Sequence, residues 1–571
     1  MDIDATVGAG FLLGAGQALA VGGPASLLMS YGFISALSHC IMTAVAEVGA
    51  YLPMQGAGVS AYATRYVSPS MGFSMGALHW YGLGIAVPYQ LTAMSSFVRY
   101  WMPDIHSSIP LTVSLASVVG MNLMPQQYFY RSTIYLMYFK AAMMAFLLTL
   151  SSILFFGGGP DGGFLGFHYW NTPGAMNEFL LGGSAGRFLG FVQSTLTSAV
   201  AFLFLPEMII GRGAGLVSPR RMVPVTAQQD NGMVTFSYMM SALAMGIVAP
   251  SDDPNLLNGN PPSGSGSDSS SSQSGQSPFV VAVERAGINF MGSLLNVMNL
   301  VSATSSGGTL LQMSTQSLTS LAASGHAPAA LGVRNRWGTP YMALGATSVF
   351  SGFAYLAMAQ PDPQVLQYLM NFINTSGFIS WLGSGMIYSR FRSAARAQGV
   401  QLPYTSRLQP YGAYFGMASS ALLCLGNGFS FFFPSNFSIP NIMAAYGGIP
   451  IFLLTYMGHR YTFRQYPWMY KAHEVDLFSG LDEVVAAEQE ARPEDTWWGQ
   501  LLLFIASVRT WFRRITALVR QKWNGSVSND PENDAGIGET GETGETGALR
   551  DTQETQEMRE TRGTGETGEI P

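Results

Sequence analysis

Three charged side chains lie within long apolar stretches of this sequence, and they are Glu47, Lys140 and Glu207. A charge inside a lipid bilayer costs about 3 kcal/mol on insertion scales, and charges that persist there commonly serve ion or substrate pathways. Lys140 and Glu207 are therefore candidates for proton coupling. Because burial favours the neutral form of a carboxyl group, we expect Glu207 to be neutral or hydrogen-bonded to an opposing helix.

Lys140 and Glu207 each have a structural explanation as well. A lone lysine can extend its ammonium group toward the membrane surface or form an ion pair. A protonated glutamic acid can connect two helices, since it donates and accepts hydrogen bonds at once. The residues alone leave these alternatives open.

Two short segments contain residues that interrupt a helix. Residues 202–207 include Pro206, which cannot donate to the carbonyl four residues earlier, so we expect a break there. Residues 6–10 include two glycines, which allow the backbone to unwind. Paired interruptions of this kind indicate a transporter binding site, although glycines in membrane helices also serve close packing.

Membrane-spanning helices must position these residues. A bilayer core of about 30 Å is crossed by roughly 20 helical residues, and apolar stretches of that length recur along the chain. The pattern predicts an all-α integral membrane protein with about 12 transmembrane helices. The predicted spans are residues 5–20, 25–50, 71–100, 107–124, 132–156, 187–211, 233–249, 286–323, 339–358, 365–389, 411–433 and 441–463. An unpaired lysine facing lipid would be costly, so Lys140 is expected to face the interior near the first and eighth spans.

Composition excludes several classes of protein. Hydrophobic residues make up 48% of the chain and charged residues 11%, whereas soluble proteins contain about 25% charged residues. The net charge of -6 arises largely in the tail after Asn529, and no basic cluster suggests a nucleic-acid partner. Cys40 and Cys424 stand alone, and the histidines are scattered. We expect no enzyme activity, no metal site and no cofactor.

Loop charges and the C-terminal composition predict the remaining organisation. Most arginines fall in every second loop, which places both termini in the cytoplasm. Residues 1–464 form the transmembrane domain, and residues 465–524 a cytoplasmic segment with an amphipathic helix from Leu501 to Val519. This helix lies on the membrane surface or docks on the protein itself. Residues 525–571 form an acidic tail expected to be disordered.

An ordered series of short motifs carries a family resemblance. The chain resembles the fungal amino-acid permeases of the amino acid–polyamine–organocation (APC) superfamily over roughly residues 5 to 480. The motifs include Gly14-Ala15-Gly16, Gly22-Gly23-Pro24-Ala25, Tyr62-Ala63-Thr64-Arg65-Tyr66, Gly72-Phe73-Ser74-Met75-Gly76, Gly157-Gly158-Gly159-Pro160, Pro219-Arg220-Arg221, Ser277-Pro278-Phe279-Val280, Ala327-Pro328 and Arg390-Phe391-Arg392.

The resemblance implies a fold, a function and a set of site residues. The fold would be two inverted five-helix repeats (LeuT-like) plus two extra helices. The function would be proton-coupled import of an amino acid by alternating access at the plasma membrane. The substrate carboxylate would rest on Thr6, Gly8, Ala9 and Gly10, and the amino group would face the break at Ala201, Phe202, Phe204 and Leu205. Lys140 matches a fifth-helix lysine that replaces a coupling sodium ion in related transporters.

Several positions depart from the family pattern. Gln90 stands where the family has a third-helix glutamate, Leu205-Pro206 replaces a Gly-Thr pair, and Met1 precedes Thr6 by only a few residues. The family has the first half of helix one before this point. A non-transporting permease-like amino-acid sensor, or a truncated or decayed permease, is therefore the alternative to an active importer.

Overall fold

Helices make up nearly all the regular structure of the chain. The computed structural model describes residues 8–54, 58–159, 163–208, 219–256, 276–358 and 362–490, and within these ranges the only β pairing is an isolated bridge between Leu256 and Gln276. The α-helices labelled below are α1 (Ala9–Leu12), α2 (Gly14–Tyr51), α3 (Val59–Tyr66), α4 (Pro69–Arg99), α5 (Ser108–Leu123), α6 (Gln126–Phe155), α7 (Gly183–Ala199), α8 (Pro219–Val248), α9 (Pro278–Arg285), α10 (Asn289–Ala323), α11 (Tyr341–Ser348), α12 (Asp362–Ala397), α13 (Tyr411–Gly426), α14 (Ile439–Tyr446), α15 (Gly448–Thr462) and α16 (Leu481–Glu490).

Parts of the prediction lie outside the described residues. These parts are Thr6 of the candidate substrate site, the amphipathic helix of residues 501–519 and the acidic tail of residues 525–571. The all-helical class is confirmed within the described ranges.

Fewer helices of the described part are apolar enough to span a membrane than the sequence pattern predicts. Five helices of the described part are long and apolar enough to cross a membrane, or six if the pair α14 and α15, bent by 44°, is one span. The first of the five covers residues 9–51 and so contains two predicted spans. The helices α4, α10 and α12 have sufficient length, but Ser, Thr, Gly and Asn lower their apolar character. The prediction of about twelve spans is not confirmed by this count.

The helix α4 packs against both α10 and α12, and these three helices contain many of the buried polar side chains. Small residues permit this close approach: a Cβ atom on Gly76 of α4 would lie 2.5 Å from Leu321 Cδ2 of α10. Hydroxyl groups connect the same helices, as where Ser314 Oγ donates to the Trp80 carbonyl at 2.6 Å. These three helices therefore form a polar interior within an apolar bundle.

A kink separates the first two predicted spans inside α2. Gly23 has φ 81° and ψ 172°, and Pro24 follows it. The kinked backbone pairs with a loop, since Ala25 N donates to the Ala175 carbonyl at 2.9 Å and Asn177 N donates to the Gly22 carbonyl at 3.0 Å. The kink falls between the predicted spans 5–20 and 25–50, although the helix count above treats residues 9–51 as one span.

We expect Gly23→Ala to destabilise the protein. A left-handed conformation at a non-glycine residue costs about 1 to 3 kcal/mol, and the new Cβ would meet the Ala175 carbonyl oxygen at 2.8 Å. The thermal transition of the purified protein in detergent would measure the loss. Gly232→Ala in α8 is the control, because nothing lies within 4 Å of its Cβ position and alanine stabilises a helix interior by roughly 0.5 to 1 kcal/mol. Equal stability of the two variants would contradict this account of the kink.

The segment after α15 docks on the helix ends nearby. Tyr470 N donates to the Val67 carbonyl at 2.9 Å, and Arg65 Nε donates to the Asp476 carbonyl at 2.7 Å. The Leu477 side chain is fully buried. The start of the predicted 465–524 segment is therefore part of the folded bundle.

Candidate functional site

The described part of the first helix begins at Ala9, with Gly8 as its N-cap. The residues before Gly8 lie outside the described ranges, so the interruption at residues 6–10 stays a prediction. Gly8 has an extended backbone, and its carbonyl accepts hydrogen bonds from Phe11 N and Leu12 N at 3.1 Å. Leu13 keeps right-handed helical dihedrals, so α1 continues into α2. The N–H of Ala9 donates to Gln90 Oε1 of α4 at 3.0 Å. One of the donors of this helix end is thus satisfied by the side-chain amide of Gln90.

Lys140 lies beside the same helix end. It projects from α6, is 1% exposed, and its Nζ donates to Ser306 Oγ of α10 at 2.7 Å. A Cβ atom on Gly8 would lie 2.7 Å from both Ser306 Oγ and Gln90 Nε2. The predicted interior position of Lys140 near the first and eighth spans is confirmed. We call the cluster formed by Gly8, Ala9, Gln90, Lys140 and Ser306 the amide–lysine site.

The sixth predicted span is broken, as expected. The helix α7 ends at Ala199, residues 201–204 form turns, and helical residues resume at 205–208. Phe204 adopts φ 64°, an uncommon left-handed conformation for a residue with a bulky side chain. The break begins slightly before residues 202–207, because Pro206 fits the first turn of the second half-helix, where its missing N–H has no helical partner to lose.

The start of α1 and the break in the sixth predicted span lie next to each other. A Cβ atom on Gly10 would lie 3.1 Å from Val200 Cγ1, at the end of α7. Behind them an aromatic cluster fills the space, in which Phe11 stacks on Tyr238 at 4.5 Å between ring centroids and Phe202 meets Tyr238 edge-on at 5.0 Å. The predicted residues Gly10, Ala201, Phe202 and Leu205 are all buried around this junction.

Glu207 follows the break and faces α12. Its side chain is 6% exposed, and Oε1 accepts hydrogen bonds from Ser380 Oγ at 2.7 Å and Ser384 Oγ at 3.2 Å. Oε2 has no hydrogen-bond partner among the described residues. The expected contact between Glu207 and an opposing helix is confirmed.

His79 is a site residue that sequence reasoning missed. Its Nε2 lies 2.9 Å from Ser380 Oγ, and its ring meets the Phe204 ring edge-on at 5.7 Å. It is one of seven histidines scattered along the sequence. A signal was present, because His79 is the one histidine within the third predicted span, residues 71–100.

Glu47, the third charge in an apolar stretch, belongs to a different cluster. Its Oε2 accepts from Arg392 Nη1 at 2.9 Å, and its Oε1 accepts from the Ser406 N–H at 2.7 Å. Both carboxylate oxygens are therefore engaged in connecting α2 to α12 and the loop that follows it. This arrangement is a structural ion pair.

Cys40 and Cys424 are both buried and unpaired with each other. Within the described ranges no three His, Cys, Asp or Glu side chains gather closely enough to bind a metal ion. The polar groups of the site are instead amides, hydroxyls, one lysine, one histidine and one glutamate, which suit hydrogen bonding and proton exchange.

Residues 2–471 match the sequence profile of the amino acid permease family, and so cover the amide–lysine site and the break in the sixth predicted span. The chain belongs to this family. A permease is a transport protein, so the prediction that the chain is not an enzyme is confirmed.

Curated relatives of this permease span most of its length. A proline-specific permease of Emericella nidulans is 34% identical over 87% of this chain and 90% of its own. A proline-specific permease of Saccharomyces cerevisiae is 34% identical over 85% of this chain and 77% of its own. A probable proline-specific permease of Schizosaccharomyces pombe is 32% identical over 85% and 87%. The predicted resemblance to fungal amino-acid permeases is confirmed.

Among solved structures, a manganese transporter of Eremococcus coleocola aligns with 86% of this permease and 94% of its own chain. The identity is 15% and the TM-score 0.49, a similarity too weak to define the helix repeats.

Proposed function

We propose that this permease imports an amino acid together with a proton by alternating access. The observation that carries the proposal is that the start of α1 lies against the break in the sixth predicted span and beside Lys140. Free amides at a half-helix N-terminus favour a carboxylate. In this structure Gln90 Oε1 accepts the hydrogen bond from Ala9 N–H, at the place where the substrate carboxylate would bind. The substrate ammonium group would lie at the break around Ala201 and Phe204, where the helix is interrupted by turns.

Proton coupling is proposed for Lys140 and Glu207. Lys140 touches Ser306 next to Gly8, so its charge can respond to a carboxylate bound at the first helix. Glu207 follows the break that would face the substrate ammonium group, and one of its oxygens has no partner among the described residues. Both groups therefore lie where substrate binding and proton binding can influence each other.

Proline is the substrate that we propose first. The relatives at 32 to 34% identity are named proline-specific, whereas a general amino-acid permease of Saccharomyces cerevisiae is 28% identical. Fully buried Leu205 and the adjacent Phe204 fill the break, which favours a compact substrate. We further propose the plasma membrane as the location, with both termini in the cytoplasm.

Uptake of radiolabelled proline by cells that lack their own proline transport tests this function. We expect the permease to confer saturable uptake that a protonophore abolishes and that an excess of unlabelled proline suppresses more strongly than an excess of arginine. Proline binding to isolated membranes without any uptake would instead favour the non-transporting sensor. Uptake that ignores the protonophore would contradict proton coupling.

A further inference from the structure

An imidazole, a hydroxyl and a carboxyl group form one hydrogen-bonded line across the protein interior. His79 Nε2 of α4 lies 2.9 Å from Ser380 Oγ of α12, and that Oγ donates to Glu207 Oε1 at 2.7 Å. The three residues are 7%, 0% and 6% exposed. The line therefore runs from α4 to the second half of the sixth span without a gap.

The carboxyl end of this line has room for a proton. Both serine hydroxyls of α12 donate to Glu207 Oε1, while Oε2 has no partner among the described residues. A proton or a water molecule can add at Oε2 without breaking these hydrogen bonds.

The helix break directly covers the imidazole. Phe204, in its left-handed conformation, places its ring edge-on to His79 at 5.7 Å between centroids. A Cβ atom on Gly82, one helical turn after His79, would lie 2.9 Å from Phe204 Cζ. Any change of the break during transport must therefore move the group that shields His79.

We propose that His79 exchanges the coupled proton with Glu207 through the Ser380 hydroxyl. This inference rests on the proton-coupled function proposed above. When His79 is an imidazolium, its Nε2–H bond breaks as a new O–H bond forms on Ser380, and the original Ser380 O–H bond breaks as an O–H bond forms on Glu207 Oε1. The products are a neutral imidazole and a carboxylic acid, so charge and protons balance.

Other titratable groups lie on or against the same two helices. On α4, Tyr81 donates to the Gly448 carbonyl of α15 at 3.5 Å, and Ser70 Oγ lies 3.1 Å from His459 Nδ1. On α12, Tyr388 and Arg392 bond to each other near Glu47. The contacts described for the His79–Ser380–Glu207 line itself involve only serines and the Phe204 ring. Variants of the line therefore leave these other titratable groups in place.

The test compares proline accumulation with proline exchange in His79→Asn. Asparagine keeps a side chain that can hydrogen-bond to Ser380 but cannot carry the proton. We expect accumulation at acidic external pH to fall to about a tenth of the wild-type value. Exchange of radiolabelled for preloaded unlabelled proline needs no net proton movement and should persist.

Two serine variants and a second histidine variant separate relay from packing. Ser380→Ala removes the bridge and should reproduce the flat pH profile of His79→Asn. Ser384→Ala removes a hydrogen bond to Glu207 but not the link to His79 and should keep the acid stimulation. His39→Asn alters another partly buried histidine, whose Nδ1 lies 3.1 Å from Asn231 Nδ2, and should behave like wild type.

The outcomes are distinguishable. A wild-type permease without proton-dependent accumulation would contradict the proposed function itself and, with it, this inference. If the wild type is proton-coupled and His79→Asn retains both accumulation and pH profile, the role of His79 is contradicted while the proposed function stands. If His79→Asn does not reach the membrane, Ser380→Ala against Ser384→Ala decides the question, and equal pH profiles of these two would refute the relay.

Discussion

Replacing Lys140 with methionine is expected to abolish proline accumulation while the protein remains folded. The ammonium group is buried and donates to Ser306 beside the start of the first helix. Methionine has a similar length and no charge, so the substitution removes a buried charge instead of leaving one unpaired. With one proton per substrate, a gradient of about two pH units sustains up to about a hundredfold accumulation, and we expect the variant to lose all of it.

The matched control for this prediction is Lys471→Met. Lys471 lies in the segment after α15, its side chain is 84% exposed, and its nearest carboxylate is that of Glu474 at 4.0 Å. Exposed pairs of this kind contribute little to stability. Accumulation should be unchanged in Lys471→Met, whereas undiminished accumulation in Lys140→Met would remove Lys140 from the coupling mechanism.

The second large effect is expected from Glu207→Gln, which should eliminate the pH dependence of uptake but not substrate binding. The glutamine carbonyl can still accept from Ser380 and Ser384 at the position of Oε1, so the contact with α12 survives. An amide cannot take up the proton, however. Uptake should therefore lose its dependence on external pH.

An exposed glutamate provides the control for Glu207→Gln. Glu178 lies 3.6 Å from Arg187, and its side chain is 46% exposed; Glu178→Gln should leave the pH profile intact. Preserved pH dependence in Glu207→Gln would show that Glu207 only bridges the sixth span and α12, which the sequence also allows.

Residue chemistry alone predicted the helix break, but not how the chain makes it. The missing N–H of Pro206 ends the ladder of hydrogen bonds locally, so a break near residues 202–207 follows from sequence. The left-handed conformation falls on Phe204 and not on a glycine, because the ring is packed against His79 and Gly82. Such a conformation depends on tertiary contacts and has no local sequence signal.

For the charged residues, too, the sequence predicted the burial but not the partners. The cost of a lysine in lipid predicted an interior position for Lys140, yet its partner Ser306 lies 166 residues away and could not be identified. Glu47 and Glu207 looked alike as buried acids. Only the fold shows that Glu47 meets Arg392, while Glu207 meets two serines and, through one of them, His79.

Three long helices, α4, α10 and α12, contain too many polar residues to be recognised as spans by hydropathy, and the reason is physical. The helix α4 packs against both α10 and α12, so Ser, Thr and Gly side chains replace the apolar residues that a lipid-facing helix requires. The three helices are long but do not meet an apolar criterion for a span. Length and packing together describe these helices better than hydropathy does.

Proton movement coupled to proline in proteoliposomes tests the central claim most directly. The purified permease would be reconstituted in vesicles containing a pH-sensitive dye, and external proline would be added without any other driving force. The account predicts acidification of the vesicle interior that depends on proline and is absent in Lys140→Met. Proline that enters without acidification, or that binds without entering, would contradict proton-coupled import by this permease.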